Sequence, residues 1–192
     1  MVNLSKTQYK NIIKVLGVIA GAIAISINAC NKDKISKPNP QLPIQVFFTP
    51  WDNAEQAIID AIDSAKHSIY IQAYVWTSKP LTQAVLEARK RGVAIHVLCD
   101  KNQMMSSKSS QIPTLVKVGI TVKLEVKYQS AHNKVIIIDY NTSNATLLTG
   151  SYNFSYSAQN KNAENLLVIR DAKLAKAYFD NWQRHSNDAI MY

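Results

Sequence analysis

Two hydrophobic periods alternate along the chain, and the switches between them mark out its elements. Residues 44–49 read as a strand. Over 52–66, Ala54, Ala57, Ile58, Ala61, Ile62 and Ala65 recur at helical spacing. From 68 to 76 the period returns to two, with Ile69, Ile71, Ala73 and Val75 on one parity and Tyr70, Gln72, Tyr74 and Trp76 on the other. Residues 80–91 are helical again, and Gly92 stops that helix as a C-cap would. The run 93–99 is almost continuously apolar, as expected of a strand covered on both faces. A polar loop over 100–110 and a short helix over 111–118 follow. Strands are then predicted at 120–126, 134–139, 145–149 and 163–169. An amphipathic helix over 171–186 closes the pattern through Leu174, Ala175, Tyr178, Phe179 and Trp182. Strand and helix alternate early and strands cluster late, so the fold class is α/β with a mixed sheet in one domain, 44–192.

The first 43 residues follow different rules. Lys6, Lys10 and Lys14 precede the uncharged stretch from Val15 to Ile27, and no Asp or Glu occurs before Cys30. Thirteen apolar residues suit the core of an export signal and fall short of the roughly 20 that span a bilayer as a helix. The order Ile27-Asn28-Ala29-Cys30 resembles a bacterial lipoprotein processing site, at which Cys30 would be lipidated and would tether the domain to a membrane. Cleavage after Ala22-Ile23-Ala24 and retention as an uncleaved anchor are the alternatives. All three place the domain outside the cytoplasm, in the periplasm or at a membrane. Residues 1–29 are therefore read as a signal segment and 30–43, with three prolines, as a polar tether.

Composition narrows the choice further. The chain has 192 residues, 47% of them hydrophobic and 18% charged, an ordinary globular balance. Removing the three lysines of the signal segment leaves +6 of the formal +9, an excess that favours polyanionic partners. The two cysteines, Cys30 and Cys99, give neither a disulfide framework nor a zinc-ligand pattern, and Cys99 reads as a small apolar side chain in a buried strand.

The chemistry concentrates in Ala131-His132-Asn133-Lys134-Val135-Ile136-Ile137-Ile138-Asp139. On a strand His132 and Lys134 share a face, whereas Asp139 has the opposite parity. An imidazole beside a fixed ammonium suits an anionic ligand such as phosphate, because histidine can attack phosphorus or pass a proton near neutral pH. Gly150-Ser151-Tyr152-Asn153 follows a predicted strand and offers neutral donors at a tight turn. Glu164 opens the next strand, where a carboxylate could hold a histidine's second nitrogen. A lone His-x-Lys is surface decoration, and Gly-Ser-x-Asn alone is a common turn. Their combination, in order and each at a predicted strand end, is a strong signal.

That combination, His132-x-Lys134-x4-Asp139 followed by Gly150-Ser151-x-Asn153 and Glu164, resembles the HKD signature of the phospholipase D superfamily. Ala61 to Lys66, Ala73-Tyr74, Arg91-Gly92-Val93 and Ala163-Glu164-Asn165 are similar to the small bacterial endonucleases within it. The resemblance implies a mixed sheet with helices on both faces and a phosphodiester hydrolase that needs no metal and no cofactor. It implies that His132 attacks phosphorus, that Lys134 and Asn153 bind non-bridging oxygens, that Ser151 assists or positions the loop, that Glu164 orients His132, and that Asp139 is structural. Such chemistry needs a second histidine as acid, and His67, His96 and His185 lack the His-x-Lys context. The expectation is a homodimer with one composite site at its two-fold interface. Nucleic acid is the expected substrate, given the basic charge, the lack of an obvious apolar lid, and Lys101, Lys108, Lys123, Lys127 and Lys161 flanking the motif; Lys101, Lys127 and Lys161 are the chosen substrate contacts. A phospholipase or cardiolipin-type lipid hydrolase, and a non-catalytic basic binding module, are the alternatives.

Overall fold

A computed structural model of the chain describes residues 43–192; the signal segment 1–29, Cys30 and nearly all of the tether 30–43 lie outside them. The described residues form an eight-stranded mixed sheet in the order β1-β7-β6-β5-β2-β3-β4-β8. The strands are β1 Ile44–Thr49, β2 Ser68–Ala73, β3 Ala94–Asp100, β4 Thr121–Glu125, β5 Lys134–Ile138, β6 Thr146–Gly150, β7 Glu164–Ile169 and β8 Ile190–Met191. The pairs β2–β3 and β3–β4 are parallel and all others antiparallel. The helices are α1 Ala54–Ser64, α2 Lys79–Lys90, α3 Lys101–Ser106, α4 Ile112–Lys117, α5 Tyr156–Asn160 and α6 Ala172–Asp188.

Both faces of the sheet are covered, which explains why its central strands are buried on both parities and mostly apolar. On one face Ile58 and Ile62 of α1, Leu81 and Val85 of α2, Leu115 of α4 and Ala158 of α5 pack on Ile69, Ile71, Val97, Ile136 and Val168. On the other, α6 sets Ala175 and Trp182 against Leu98, Val135, Ile137 and Leu147. The Trp182 indole N–H donates to the Ile71 carbonyl at 3.0 Å, so burying that ring leaves no polar atom unmet. Local chemistry sets the helix ends. Asn53, Ser78 and Asp171 accept from Gln56, Leu81 and Leu174 N–H groups as N-caps, and Gly92 leaves α2 at φ +88°.

Three departures from the sequence reading are local. Residues 100–110 were expected as loop, yet Lys101–Ser106 is a helix, because Asp100 caps it by accepting from the Gln103 N–H at 2.8 Å. With only Met104 buried, that helix has no apolar period to announce it. The five-residue α5 is likewise capped by Ser155. The strand expected over 68–76 stops at Ala73, and Trp76 makes an isolated bridge to Phe154 instead.

Candidate active site

The parallel strands β2, β3 and β4 end, and β5 and β7 begin, at one end of the sheet, and every motif residue except Asp139 gathers there. Residues 126–133 return the chain from β4 to β5. Asp100, buried at the end of β3, fixes this return: its Oδ2 accepts from the Ala131 N–H at 2.8 Å, one residue before His132. The Asn133 carbonyl then accepts from the Tyr74 N–H at 3.0 Å. His132 thus precedes β5, in keeping with the strand predicted from 134, which corrects the expectation that it shares a strand face with Lys134. The Tyr74–Asn133 bond continues the β2–β5 register one residue before Lys134, and Asp100 holds the backbone ahead of His132. The imidazole is exposed while Lys134 is buried, and the Lys134 ammonium turns back to donate to the His132 carbonyl at 2.9 Å.

Tyr74 touches both. Its ring meets the His132 ring edge-on, with centroids 4.3 Å apart and planes at 61°, and the Lys134 Nζ lies 4.7 Å from the same ring centroid. Burial pulls the Lys134 ammonium down to about 8, and the Glu164 carboxylate acts against that fall. Glu164 was expected to orient His132. In this chain its Oε1 accepts from the Asn162 side chain at 2.9 Å, its charge acts on Lys134, and no hydrogen bond links it to His132. Glu164 opens β7 opposite Thr49, whose hydroxyl donates to the Ala158 carbonyl at 2.7 Å. That contact seats α5 beside the site.

The turn after β6 is built around the Asn165 carbonyl, which accepts from both Ser151 and Tyr152 N–H groups at 3.1 and 3.3 Å. A Cβ on Gly150 would stand 2.3 Å from that oxygen, so only glycine fits. The Ser151 hydroxyl accepts from the Asn165 backbone N–H at 3.0 Å and its side chain at 3.3 Å, tying β6 to β7. Asn153 is half-buried, and its side-chain oxygen has no hydrogen-bond partner among the described residues. At the opposite end of β5, Asp139 takes φ +48° and its carboxylate accepts from the N–H groups of Lys66, His67 and Ser68 at 2.8–2.9 Å.

The candidate contact lysines divide. Lys101 and Lys161 are exposed at the site end of the sheet, Lys161 near the Tyr156 ring. Lys127 is ion-paired to Asp188 at 2.7 Å, and Lys123 donates to the Ser186 carbonyl and hydroxyl at 2.8 and 3.0 Å. Both are spoken for within the domain. His96 stacks on Tyr70 at 5.1 Å, with burial holding its pKa down, and His185 pairs with the buried Glu125. Burial likewise pushes the Cys99 thiol up to about 12, leaving it an inert core residue. Among the described residues, no three His, Cys, Asp or Glu side chains converge in a way that could hold a metal ion. Two residues that position the site were given no such role from the sequence: Asp100 read only as the start of a loop, and Tyr74 as a strand residue within the family resemblance.

An exposed imidazole beside a buried ammonium and an amide turn has the chemistry to suit an anionic phosphorus centre. The family model "Cardiolipin synthase, PLD-like domain" matches residues 58–185. The phospholipase D of Rickettsia bellii is 35% identical over 183 residues, covering 88% of this chain and 89% of that protein. The mitochondrial cardiolipin hydrolase of Xenopus tropicalis is 29% identical over 133 residues, 69% of this chain and 61% of that one. Among solved structures, the phospholipase D family member Nuc from Salmonella typhimurium superposes with a TM-score of 0.72 and 34% identity, covering 78% of this chain and 97% of that one. NucT from Helicobacter pylori shares the fold with a TM-score of 0.68 at 24% identity, covering 78% of this chain and 98% of that one. Fold and relatives together define a phosphodiester hydrolase. The chain belongs to the phospholipase D superfamily.

Proposed function

We propose that this hydrolase is an exported, metal-independent endonuclease acting through a phosphohistidine. The observation that carries the reading is the openness of the site. His132 stands exposed at the sheet end, and the connections around it present the exposed lysines Lys101 and Lys161 among the exposed aromatics Trp51, Tyr128 and Tyr156. A polyanionic strand crossing such a rim meets cations for its backbone and ring faces for its bases. The likeness to Nuc over nearly all of that chain supports the same choice.

In the reaction, a His132 ring nitrogen forms a bond to phosphorus as the bond to the leaving oxygen breaks. The second proton carrier is His132 of a second copy, which gives its proton to that oxygen; water then displaces the histidine from phosphorus. Lys134 and Asn153 neutralise the non-bridging oxygens in the transition state, and Glu164 keeps the buried ammonium charged. Ser151 holds the turn that presents Asn153. The basic-then-apolar segment ahead of Cys30 supports a location in the periplasm or on a membrane. The likeness to phospholipase D and cardiolipin hydrolase relatives favours a second reading, a phospholipase D or cardiolipin-type hydrolase.

One experiment separates the two. Wild type and His132→Asn are incubated in excess EDTA with plasmid, single-stranded DNA, RNA and cardiolipin vesicles. The expected result is cutting of nucleic acid by the wild type alone. Headgroup release from vesicles without nucleic-acid cleavage establishes the lipid reading instead, and loss of turnover on chelation refutes the metal-independent mechanism.

A further inference from the structure

We infer that Tyr74 is a positioning residue for the reaction, its ring face holding the Lys134 ammonium and abutting the His132 imidazole so that nucleophile and oxyanion cation keep one mutual geometry. The inference rests on the proposed roles of His132 and Lys134. The two groups approach the ring from different segments. His132 lies in the return from β4 and meets the ring edge-on at 4.3 Å between centroids. Lys134 begins β5 and brings its Nζ to 4.7 Å from the ring centroid. The backbone that carries the ring is fixed, since the Tyr74 N–H donates to the Asn133 carbonyl at 3.0 Å and so grips the peptide between the two residues.

The ring answers a specific problem. His132 makes no side-chain hydrogen bond to Glu164 in this chain, so no carboxylate there sets its ring plane. Among the described residues the Lys134 Nζ has one acceptor, the His132 carbonyl, with Glu164 acting on it only at longer range. An aromatic face is attractive to a cation and an aromatic edge-to-face contact has a preferred geometry, so one tyrosine constrains both groups without adding a charge that would repel phosphate. A carboxylate in the same place would orient them equally well but would oppose an anionic substrate.

The test uses a small chromogenic phosphodiester, so that the preference for nucleic acid or lipid does not enter. Tyr74→Phe keeps the ring and is expected to retain kcat within about threefold of wild type. Tyr74→Leu keeps bulk and loses the ring; kcat should fall on the order of tenfold to a hundredfold with KM little changed. Because that variant could also misfold, phenylalanines carrying one, two and three ring fluorines are placed at position 74. Fluorination weakens the ring's hold on a cation without changing its shape. The expected outcome is a stepwise fall in kcat, with the alkaline limb of the pH profile moving to lower pH as Lys134, faced by His132 and Glu164, loses its ring. A flat series, or equal loss in Tyr74→Phe and Tyr74→Leu, overturns the inference. His132→Asn run alongside separates the failures: activity there refutes the site itself, whereas a dead His132→Asn with a flat series refutes only the role of Tyr74.

Discussion

Lys134 shows how much the site asks of one side chain. It is buried on a strand whose other four residues are Val135 and three isoleucines, and burial holds its ammonium down to about 8 against an ordinary lysine near 10.4. If the charged form binds the phosphoryl oxygens, activity falls as pH rises through about 8, well below the range in which an exposed lysine titrates. A pH profile of kcat/KM with its alkaline limb near 8 is expected. The same depression makes the unfolded chain bind more protons than the folded one between about 8 and 10.4. This residue's contribution to stability therefore rises with pH across that window. Lys134→Met should remove that slope, raise the unfolding midpoint at pH 7 and abolish turnover, three readouts that an incidental surface lysine would not give together.

At the scale of elements, β5 is the piece on which the site depends, and it is anchored at both ends. Ahead of it Asp100 holds Ala131, and behind it Asp139 accepts three backbone N–H bonds from residues 66–68. Asp139→Ala leaves those three donors without acceptors and puts alanine at φ +48°, a conformation aspartate tolerates better. The expected cost is about 2–4 kcal/mol by denaturant unfolding, with activity per folded molecule retained because the residue lies at the far end of the strand. The sequence disclosed β5 readily, since five consecutive buried residues after a His-x-Lys leave little choice, and it disclosed the glycine turn that follows β6. It did not disclose what surrounds His132. The bond from Asp100 spans 31 positions, and the contact of Tyr74 with His132 depends on β2 and β5 being neighbours. Neither leaves a local period. The helix at 101–106 was hidden for the opposite reason, being local but too short and polar to show one.

For the whole molecule, the sheet order brings residues from four separate connections to one rim while the helices bury the rest, so the α/β reading held in full. Within one chain, however, that rim offers a single His-x-Lys, with His96 stacked on Tyr70 and His185 paired with Glu125. The composite site proposed above, shared by two copies, would supply the missing acid. If wild-type and His132→Asn subunits are unfolded together and refolded at varying ratios, activity should fall as the square of the wild-type fraction. A linear decline would show that each subunit works alone. The clamp on both ends of β5 bears on how such an enzyme spends its binding energy. If His132 is the nucleophile, as proposed, its backbone is set when the chain folds, so little of the substrate's contact energy goes into ordering the catalyst, and more is left to stabilise the charge that builds at phosphorus.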